Sequence, residues 1–258
     1  MDIGTGKLSL QERDGVRHHL LDVMDPKEEM TTALFMAEAD KVIDAEFGKN
    51  KDVVVVGGTM LYIRTLVLGM SKAPGEDTAI RQKWQAVADE HGAEKIRESL
   101  RQVDPVLADK IEVNDAKRLI RAMEVFESSG VPLSQFQKEH NFKNTKSRYP
   151  CVWLGINPPK EQLNAAIDRR VLAMMEQGFL EEVKALREDG VLPSMRSQLA
   201  IGYQQLHQVL EGDIGLEEAV RLIQKKSRKY GRRQLSWYRD HSQIRWMEKG
   251  SELDLNTI

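Results

Sequence analysis

The clearest hydrophobic pattern in the chain is a run of four valines at 53–56. Gly57, Gly58 and Thr59 follow it, and then the apolar helical stretch Met60 to Leu68 begins. An uninterrupted β-branched run is typical of a strand that helices cover on both faces of a parallel sheet. The apolar segment 151–156 predicts a second buried strand, and His18 to Val23 predicts another short strand. The pattern therefore predicts an α/β fold.

Helical periodicity with start and stop residues accounts for most of the remaining chain. Asn114 is the expected N-cap of a helix that ends before Gly130. Segment 74–113 is dense in charge and helical in period, so we interpret it as a helical insertion into a core of residues 1–73 and 114–258. The other predicted helices cover 31–47, 160–177, 180–188, 201–210 and 216–239, and a last short strand covers 244–247.

Composition narrows the class of protein. The chain has 258 residues, of which 41% are apolar and 30% are charged, as in helix-rich folded proteins. Its one cysteine, Cys151, excludes a disulfide framework within the chain and a multi-cysteine zinc module, so we expect a reducing compartment such as the cytoplasm. No apolar run approaches the roughly 18 residues of a membrane span, and residues 1–10 have no signal-peptide pattern.

The net charge of -2 conceals a cationic segment at 221–245. Asp240 is its single acid, and Tyr230, Trp237 and Tyr238 are interleaved with the cations. Positive charge suits phosphates and aromatic faces suit bases, so the segment is a candidate RNA surface; the alternative is a solvated helix face that binds nothing. Its nine basic residues are Arg221, Lys225, Lys226, Arg228, Lys229, Arg232, Arg233, Arg239 and Arg245.

Two further patterns could carry chemistry. Glycines between a strand and a helix start let backbone amides approach an anion, although Gly-Gly-Thr also serves as a plain tight turn. Arg118 and Arg121 share one helix face, where they could bind phosphate or pair with Glu124 and Glu127. His18 and His19 alternate in direction on a predicted strand, so we expect no metal site there.

Six segments of the chain, taken in order, are similar to those of the bacterial tRNA dimethylallyltransferases. The resemblance extends over essentially residues 1 to 247, and the shared order is more specific than any single segment. The segments are Met-Asp-Ile-Gly-Thr-Gly-Lys at 1–7, His-His-Leu-Leu-Asp-Val at 18–23, Gly-Gly-Thr-Met-Leu-Tyr at 57–62, Asn-Asp-Ala-Lys-Arg-Leu-Ile-Arg-Ala-Met-Glu at 114–124, Ala-Ile-Gly-Tyr at 200–203 and Arg-Arg-Gln-Leu-Ser-Trp-Tyr-Arg at 232–239.

The resemblance implies a P-loop-type α/β core of the nucleotide-binding (ATP-binding) kind, with a parallel sheet flanked by helices and a helical insertion that grips the anticodon stem-loop. It implies transfer of dimethylallyl from dimethylallyl diphosphate to N6 of the adenosine 3′ of the anticodon, in tRNAs that read codons beginning with U. Magnesium (Mg2+) would assist the departing diphosphate. We expect a cytoplasmic monomer with no membrane contact.

The resemblance also implies roles for particular residues. Thr59 matches the family's hydroxyl at the reaction centre, Arg170 matches an arginine near the diphosphate, and Gly57 and Gly58 with Thr59 would bind that diphosphate. The residues that match tRNA-contacting segments are Arg81, Lys117, Arg118, Leu119, Ile120, Arg121, Leu199, Ala200, Ile201, Gly202, Tyr203, Gln204, Arg232, Arg233, Gln234, Leu235, Ser236, Trp237, Tyr238 and Arg239.

One departure from the family is large. Gly-x-x-x-x-Gly-Lys-Ser/Thr does not occur in the 258 residues, and Met1 matches the methionine of a motif that in the family follows both this loop and the Asp-Ser segment of the proposed general base. We therefore expect either an internal methionine taken as the start, or a fragment that lacks a central strand, folds poorly and has no transferase activity.

Two other functions stay open at this stage. A non-catalytic tRNA-binding protein derived from the family would keep the cationic segment and lose the chemistry. A nucleotide or small-molecule kinase could share the core type, but the absent phosphate loop and the tRNA-like segments both disfavour it.

Overall fold

The computed structural model describes residues 1–140, 145–239 and 243–248, and this part of the chain is mainly helical. The helices are α1 (Thr32–Phe47), α2 (Met60–Leu68), α3 (Thr78–His91), α4 (Ala93–Val103), α5 (Pro105–Lys110), α6 (Ala116–Ser129), α7 (Leu133–Glu139), α8 (Lys160–Glu176), α9 (Phe179–Glu188), α10 (Tyr203–Glu211) and α11 (Leu216–Arg239). A short 3-10 helix, Arg196–Leu199, precedes α10.

Two strands, β1 (Trp153–Ile156) and β2 (Ile244–Met247), pair in parallel, with Trp153 opposite Ile244. Both positions were predicted, and parallel strands joined through helices confirm the α/β class. The prediction that the first of them is a buried strand is wrong, because Leu154 and Ile156 are 42% and 61% exposed.

The prediction of a strand at the valine run, residues 53–56, is also wrong. Residues 51–57 have no regular secondary structure, and Val54 and Val56 are 82% and 90% exposed. A strand exists only where a neighbour takes up its backbone hydrogen bonds, and within the described residues no segment pairs with 53–56. The strand predicted at 18–23 is absent for the same reason, and Leu20 and Asp22 there have positive φ angles of 59° and 56°.

Local capping chemistry placed the helix ends well. The Thr31 hydroxyl accepts the Leu34 amide at 3.1 Å and starts α1, within the predicted helix at 31–47. Helix α6 ends at Gly130, whose φ of 70° fits a left-handed glycine stop. Its N-cap is Asp115 and not Asn114, since the Asp115 carboxylate accepts the Arg118 amide at 3.3 Å.

The chain divides into two compact units, one of which is residues 67–148. Its core joins α3, α4, α5 and α6 through fully buried side chains such as Ile96, Leu100 and Leu119. This unit extends beyond the predicted insertion at 74–113 at both ends, because α6 supplies one wall of its core.

The other unit comprises residues 1–66 and the chain from 149 onward. Its main cluster includes Phe179, Val183, Tyr203 and Leu206 of α9 and α10, with Ile3 packed against it. A second cluster forms around Ala39, Ile43 and Leu66. In the part of the chain described, no helix has the length and apolar character needed to cross a membrane.

Candidate diphosphate and RNA-binding site

The glycine turn before α2 lies against the C-terminal part of α11. A Cβ added to Gly58 would come within 2.2 Å of Gln234 Nε2, so the turn is in close contact with that side chain. The Thr59 carbonyl accepts the Tyr62 and Ile63 amides at 3.0 and 3.2 Å, and the Thr59 side chain is exposed. The turn therefore opens a helix N-terminus, which carries partial positive charge, toward solvent beside the cationic helix.

Arg64 of α2 makes a second contact with α11 that the sequence analysis missed. Its guanidinium carbon lies 5.0 Å from the centroid of the Trp237 ring, a cation–π geometry. Burial lowers the pKa of Arg64, although a guanidinium still stays charged. Arg64 is the single charged residue of the otherwise apolar α2, and this was the signal available in the sequence.

Helix α11 presents an exposed cationic face near its C-terminal end. Arg232, Arg233 and Arg239 are exposed, as is Ser236, and Trp237 is 47% exposed. Within the described residues no carboxylate pairs with Arg232 or Arg233. Gln234, Leu235 and Tyr238 are partly buried, and burial raises the pKa of the Tyr238 hydroxyl.

Nearer its N-terminus, α11 is held by ion pairs and packing. Arg228 pairs with Asp168 of α8, and Arg221 pairs with Glu218 of its own helix. Gly231 lies close to α8, because a Cβ there would be 3.5 Å from Ile167 Cδ1. The N-terminal part of the cationic segment is therefore used in contacts within the protein. Its C-terminal end, from Arg232 onward, is available to bind a partner.

Arg170 of α8 contacts the turn at residues 5 and 6. Its Nη2 donates to the Thr5 carbonyl at 3.4 Å, and a Cβ on Gly6 would lie 2.1 Å from that nitrogen. Gly6 has a φ of 64°, a left-handed conformation that favours glycine. The structure thus brings Gly58 into contact with α11. It also brings Arg170, on the neighbouring helix α8, into contact with the turn at residues 5 and 6.

The segment 199–204 is only partly accessible. Leu199, Ala200 and Gln204 are exposed and Ile201 is partly buried, whereas Gly202 and Tyr203 are buried. Tyr203 packs edge-on against Phe179 at 4.9 Å between ring centroids, and burial raises its pKa.

The Tyr203 hydroxyl donates to Glu182 of α9 at 2.6 Å. The same carboxylate accepts the backbone amides of Asp2, Ile3 and Gly4. Burial alone would raise the pKa of Glu182, but the hydrogen bonds from Tyr203 and these amides outweigh it, and the pKa lies below its ordinary value. No local sequence pattern marks Glu182, because the three amides that it binds are 178 to 180 residues away along the chain.

In the unit of residues 67–148, the predicted arginines surround a buried carboxylate. Glu124 is fully buried and meets Arg81 Nε at 3.0 Å and Arg121 Nη1 at 2.6 Å. Arg121 also donates to the Gly75 carbonyl at 2.9 Å. Burial would raise the pKa of Glu124, but Arg121, the Asp77 amide and Arg81 together lower it. The ion-pair alternative thus holds for Arg121.

The remaining residues of 117–121 divide between surface and core. Lys117 and Arg118 are exposed, and Arg118 pairs with Asp115 at 3.3 Å. Leu119 and Ile120 are 0% and 6% exposed and belong to the core of this unit, as the helical periodicity predicted.

Comparison with known proteins finds similarity to one family of tRNA-modifying transferases. The profile of the family described as IPP transferase matches residues 1–241. The chain is 40% identical to the tRNA dimethylallyltransferase of Geobacter sulfurreducens over 259 aligned residues, which cover 100% of this chain and 83% of that protein. It is 38% identical to the tRNA dimethylallyltransferase of Carboxydothermus hydrogenoformans, over 98% of this chain and 80% of that one.

Solved structures show the same similarity. The full-length tRNA isopentenylpyrophosphate transferase of Bacillus halodurans superposes with a TM-score of 0.68 at 31% identity, covering 100% of this chain and 79% of that one. A eukaryotic dimethylallyltransferase captured acting on tRNA superposes with a TM-score of 0.78 at 25% identity, covering 95% of this chain and 63% of that one.

Proposed function

Since the chain belongs to the IPP transferase family, we propose that it transfers a dimethylallyl group from dimethylallyl diphosphate to N6 of the adenosine 3′ of a tRNA anticodon. The observation that carries the proposal is the contact between the glycine turn and the cationic helix. Gly58 lies against Gln234, and Arg64 lies over Trp237, so an anion-suited turn adjoins a surface suited to RNA.

The chemistry explains why these groups belong together. The adenosine amine attacks the allylic carbon while the bond to the diphosphate oxygen breaks, so negative charge builds on the leaving pyrophosphate. Fixed amides and cations around that charge lower the barrier, because they already point toward it before the reaction. We assign this role to Gly57, Gly58 and the Thr59 hydroxyl at the start of α2, and to Arg170.

The base to be modified must be taken out of its stack in the anticodon loop. Trp237 suits this step because Arg64 fixes its ring while about half of its surface stays exposed. On the same helix as Trp237, Arg232, Arg233 and Arg239 would contact phosphates of the tRNA. We extend tRNA contact to the exposed side chains at Lys117, Arg118, Leu199, Ala200 and Gln204.

Buried members of the predicted tRNA segments have a different part in this proposal. Leu119, Ile120 and Tyr203 have almost no exposed surface, so they hold exposed neighbours in place and do not touch RNA. Arg81 and Arg121 share Glu124, and their side chains are 36% and 30% exposed. These two guanidinium groups therefore offer only their outer edges to a phosphate.

Magnesium stays an expectation from the family resemblance. Among the described residues, no group of three His, Cys, Asp or Glu side chains is placed to hold a metal ion. The described side chains do not form a magnesium site by themselves, and none of the proposed steps uses the ion. Preference for tRNAs that read codons beginning with U, a monomeric state and a cytoplasmic location are likewise part of the proposal.

The direct test is transfer of radiolabelled dimethylallyl from its diphosphate to unmodified tRNA. It is run on the 258-residue chain and on the same chain extended by any sequence encoded in frame before Met1. We expect labelled tRNA, and we expect Arg170→Ala and Thr59→Ala to lower the rate by about 100-fold, typical for loss of one charge-stabilising group. Lys41→Ala, an exposed ion-pair residue of α1, serves as the control and keeps the wild-type rate.

A non-catalytic tRNA-binding protein is the second candidate, favoured by the open cationic face of α11. It predicts tRNA binding that weakens steeply with salt and no labelled product from either form of the chain. That pair of results would replace the transferase proposal with the binding one.

A further inference from the structure

Three consecutive backbone amides near the start of the chain converge on one side chain. Ile3 and Gly4 donate to the Glu182 carboxylate at 2.9 and 3.2 Å, and Asp2 donates to it as well. A carboxylate that accepts several amides holds a segment through charge-assisted hydrogen bonds, which are stronger than neutral ones. Glu182 therefore anchors residues 2–4 to helix α9.

Two aromatic rings complete the socket around this segment. A Cβ on Gly4 would lie 2.2 Å from Phe179 Cε2 and 2.6 Å from Tyr203 Cε2, so the backbone of Gly4 packs closely against both rings. The Tyr203 hydroxyl donates to Glu182 Oε1, the same oxygen that accepts the Gly4 amide, and so helps to fix the carboxylate. Removing either polar group would loosen the segment without removing the rings.

The anchored segment continues directly into the turn that holds Arg170. The Gly6 amide donates to the Ile3 carbonyl at 2.9 Å, and the Lys7 amide donates to the Asp2 carbonyl at 2.9 Å. Arg170 then lies on the outer side of this turn, against the Thr5 carbonyl and the space left by the absent Gly6 side chain. The position of the Arg170 guanidinium thus depends on where the turn is fixed.

We propose that Glu182 and Tyr203 are positioning residues that set the guanidinium of Arg170 for a diphosphate by fixing the turn at residues 2–6. This inference rests on the proposed function, which places Arg170 at the diphosphate. Neither residue touches substrate in this account, because Tyr203 is fully buried and Glu182 is occupied by the turn.

Binding of inorganic pyrophosphate, measured by calorimetry on the full chain, tests the inference without requiring transfer. We expect Glu182→Gln and Tyr203→Phe each to weaken binding about tenfold, and Arg170→Ala to weaken it at least as much. The double variants E182Q/R170A and Y203F/R170A should bind no more weakly than R170A alone, since residues that act through one another are not additive. Glu181→Gln, the exposed neighbour on α9, is the matched control and should bind as the wild type does.

Amide hydrogen exchange at Gly4 and Gly6, followed by NMR, gives the second readout. We expect faster exchange at both amides in E182Q and Y203F and wild-type exchange in E181Q. Y203F keeps the aromatic ring, so it decides the matter if E182Q fails to fold. Additive losses in the double variants, unchanged exchange, or no pyrophosphate binding by the wild-type chain would each overturn the inference.

Transfer kinetics separate this inference from the proposed function. If the wild-type chain transfers dimethylallyl, E182Q should lower kcat about tenfold and leave the KM for tRNA unchanged, because Glu182 is not among the residues proposed to contact tRNA. Absence of transfer by the wild type would defeat the proposed function alone, and the pyrophosphate and exchange results would then decide whether Glu182 positions Arg170.

Discussion

At the scale of single residues, buried carboxylates determine how arginines are used in this protein. Glu124 has no exposed surface, yet its pKa is lowered, because Arg121, the Asp77 amide and Arg81 together outweigh the cost of burial. A buried carboxylate without such partners would be protonated or would destabilise the fold. Glu124 therefore joins α3, α6 and the connection at 74–77 through charge.

We expect Glu124→Gln to lower the free energy of unfolding by about 3 kcal/mol, since it removes one partner of a buried ion pair. Denaturant unfolding of the full chain measures this loss. Glu98→Gln, an exposed residue of α4 in the same unit, should change it by about 0.5 kcal/mol or less. Equal effects of the two substitutions would show that Glu124 is not the centre of a buried network.

The pH dependence of the same measurement gives an independent check. Because the pKa of Glu124 is lower in the folded chain than its ordinary value of 4.5, its contribution to stability is present above that pH. The contribution is lost as pH falls through the folded pKa. The wild type should therefore lose more unfolding free energy on acidification below about pH 5 than E124Q does.

At the scale of elements, local signals in the sequence predicted the helices. The strand predictions were less successful, because a strand depends on a partner that is distant in sequence. Helices α1 and α6 begin at side-chain caps and end at glycines that can be found in the sequence. The valine run at 53–56 has strand-forming residues, but a strand also needs a hydrogen-bonded neighbour, which no local pattern specifies. The contact of Glu182 with residues 2–4 was missed for the same reason.

Helix α11 offers a prediction that separates charge from stacking. Arg232→Ala and Arg233→Ala should each lower the slope of log tRNA affinity against log salt by about 1, because each removes a phosphate contact. Trp237→Leu should weaken binding about tenfold with an unchanged slope, because it removes a stacking face. Filter binding over a salt series measures both quantities.

Arg221→Ala is the control on the same helix, since Arg221 already pairs with Glu218. It should change neither the affinity nor the slope. A slope that stays at the wild-type value in R232A and R233A would mean that the exposed cationic face of α11 does not bind RNA.

At the scale of the whole molecule, the sequence predicted the fold class and the family, but not the packing of the candidate site. The α/β class and the family follow from six ordered segments, and both are confirmed. The arrangement of the candidate site was only partly predictable: the glycine turn and the cationic helix were each picked out, whereas the contact of Gly58 with α11, Arg64 over Trp237 and the Glu182 anchor were not. These depend on packing between segments that are far apart in the chain.

The central claim is that Thr59 and Arg170 act on one leaving diphosphate beside the cationic end of α11. A crystal structure of the chain with an unreactive thiodiphosphate analogue of dimethylallyl diphosphate and an anticodon stem-loop tests it most directly. We predict that the Thr59 hydroxyl and the Arg170 guanidinium both lie about 3 Å from oxygens of the same diphosphate, with the adenosine next to Trp237. A diphosphate bound away from either residue would contradict the claim.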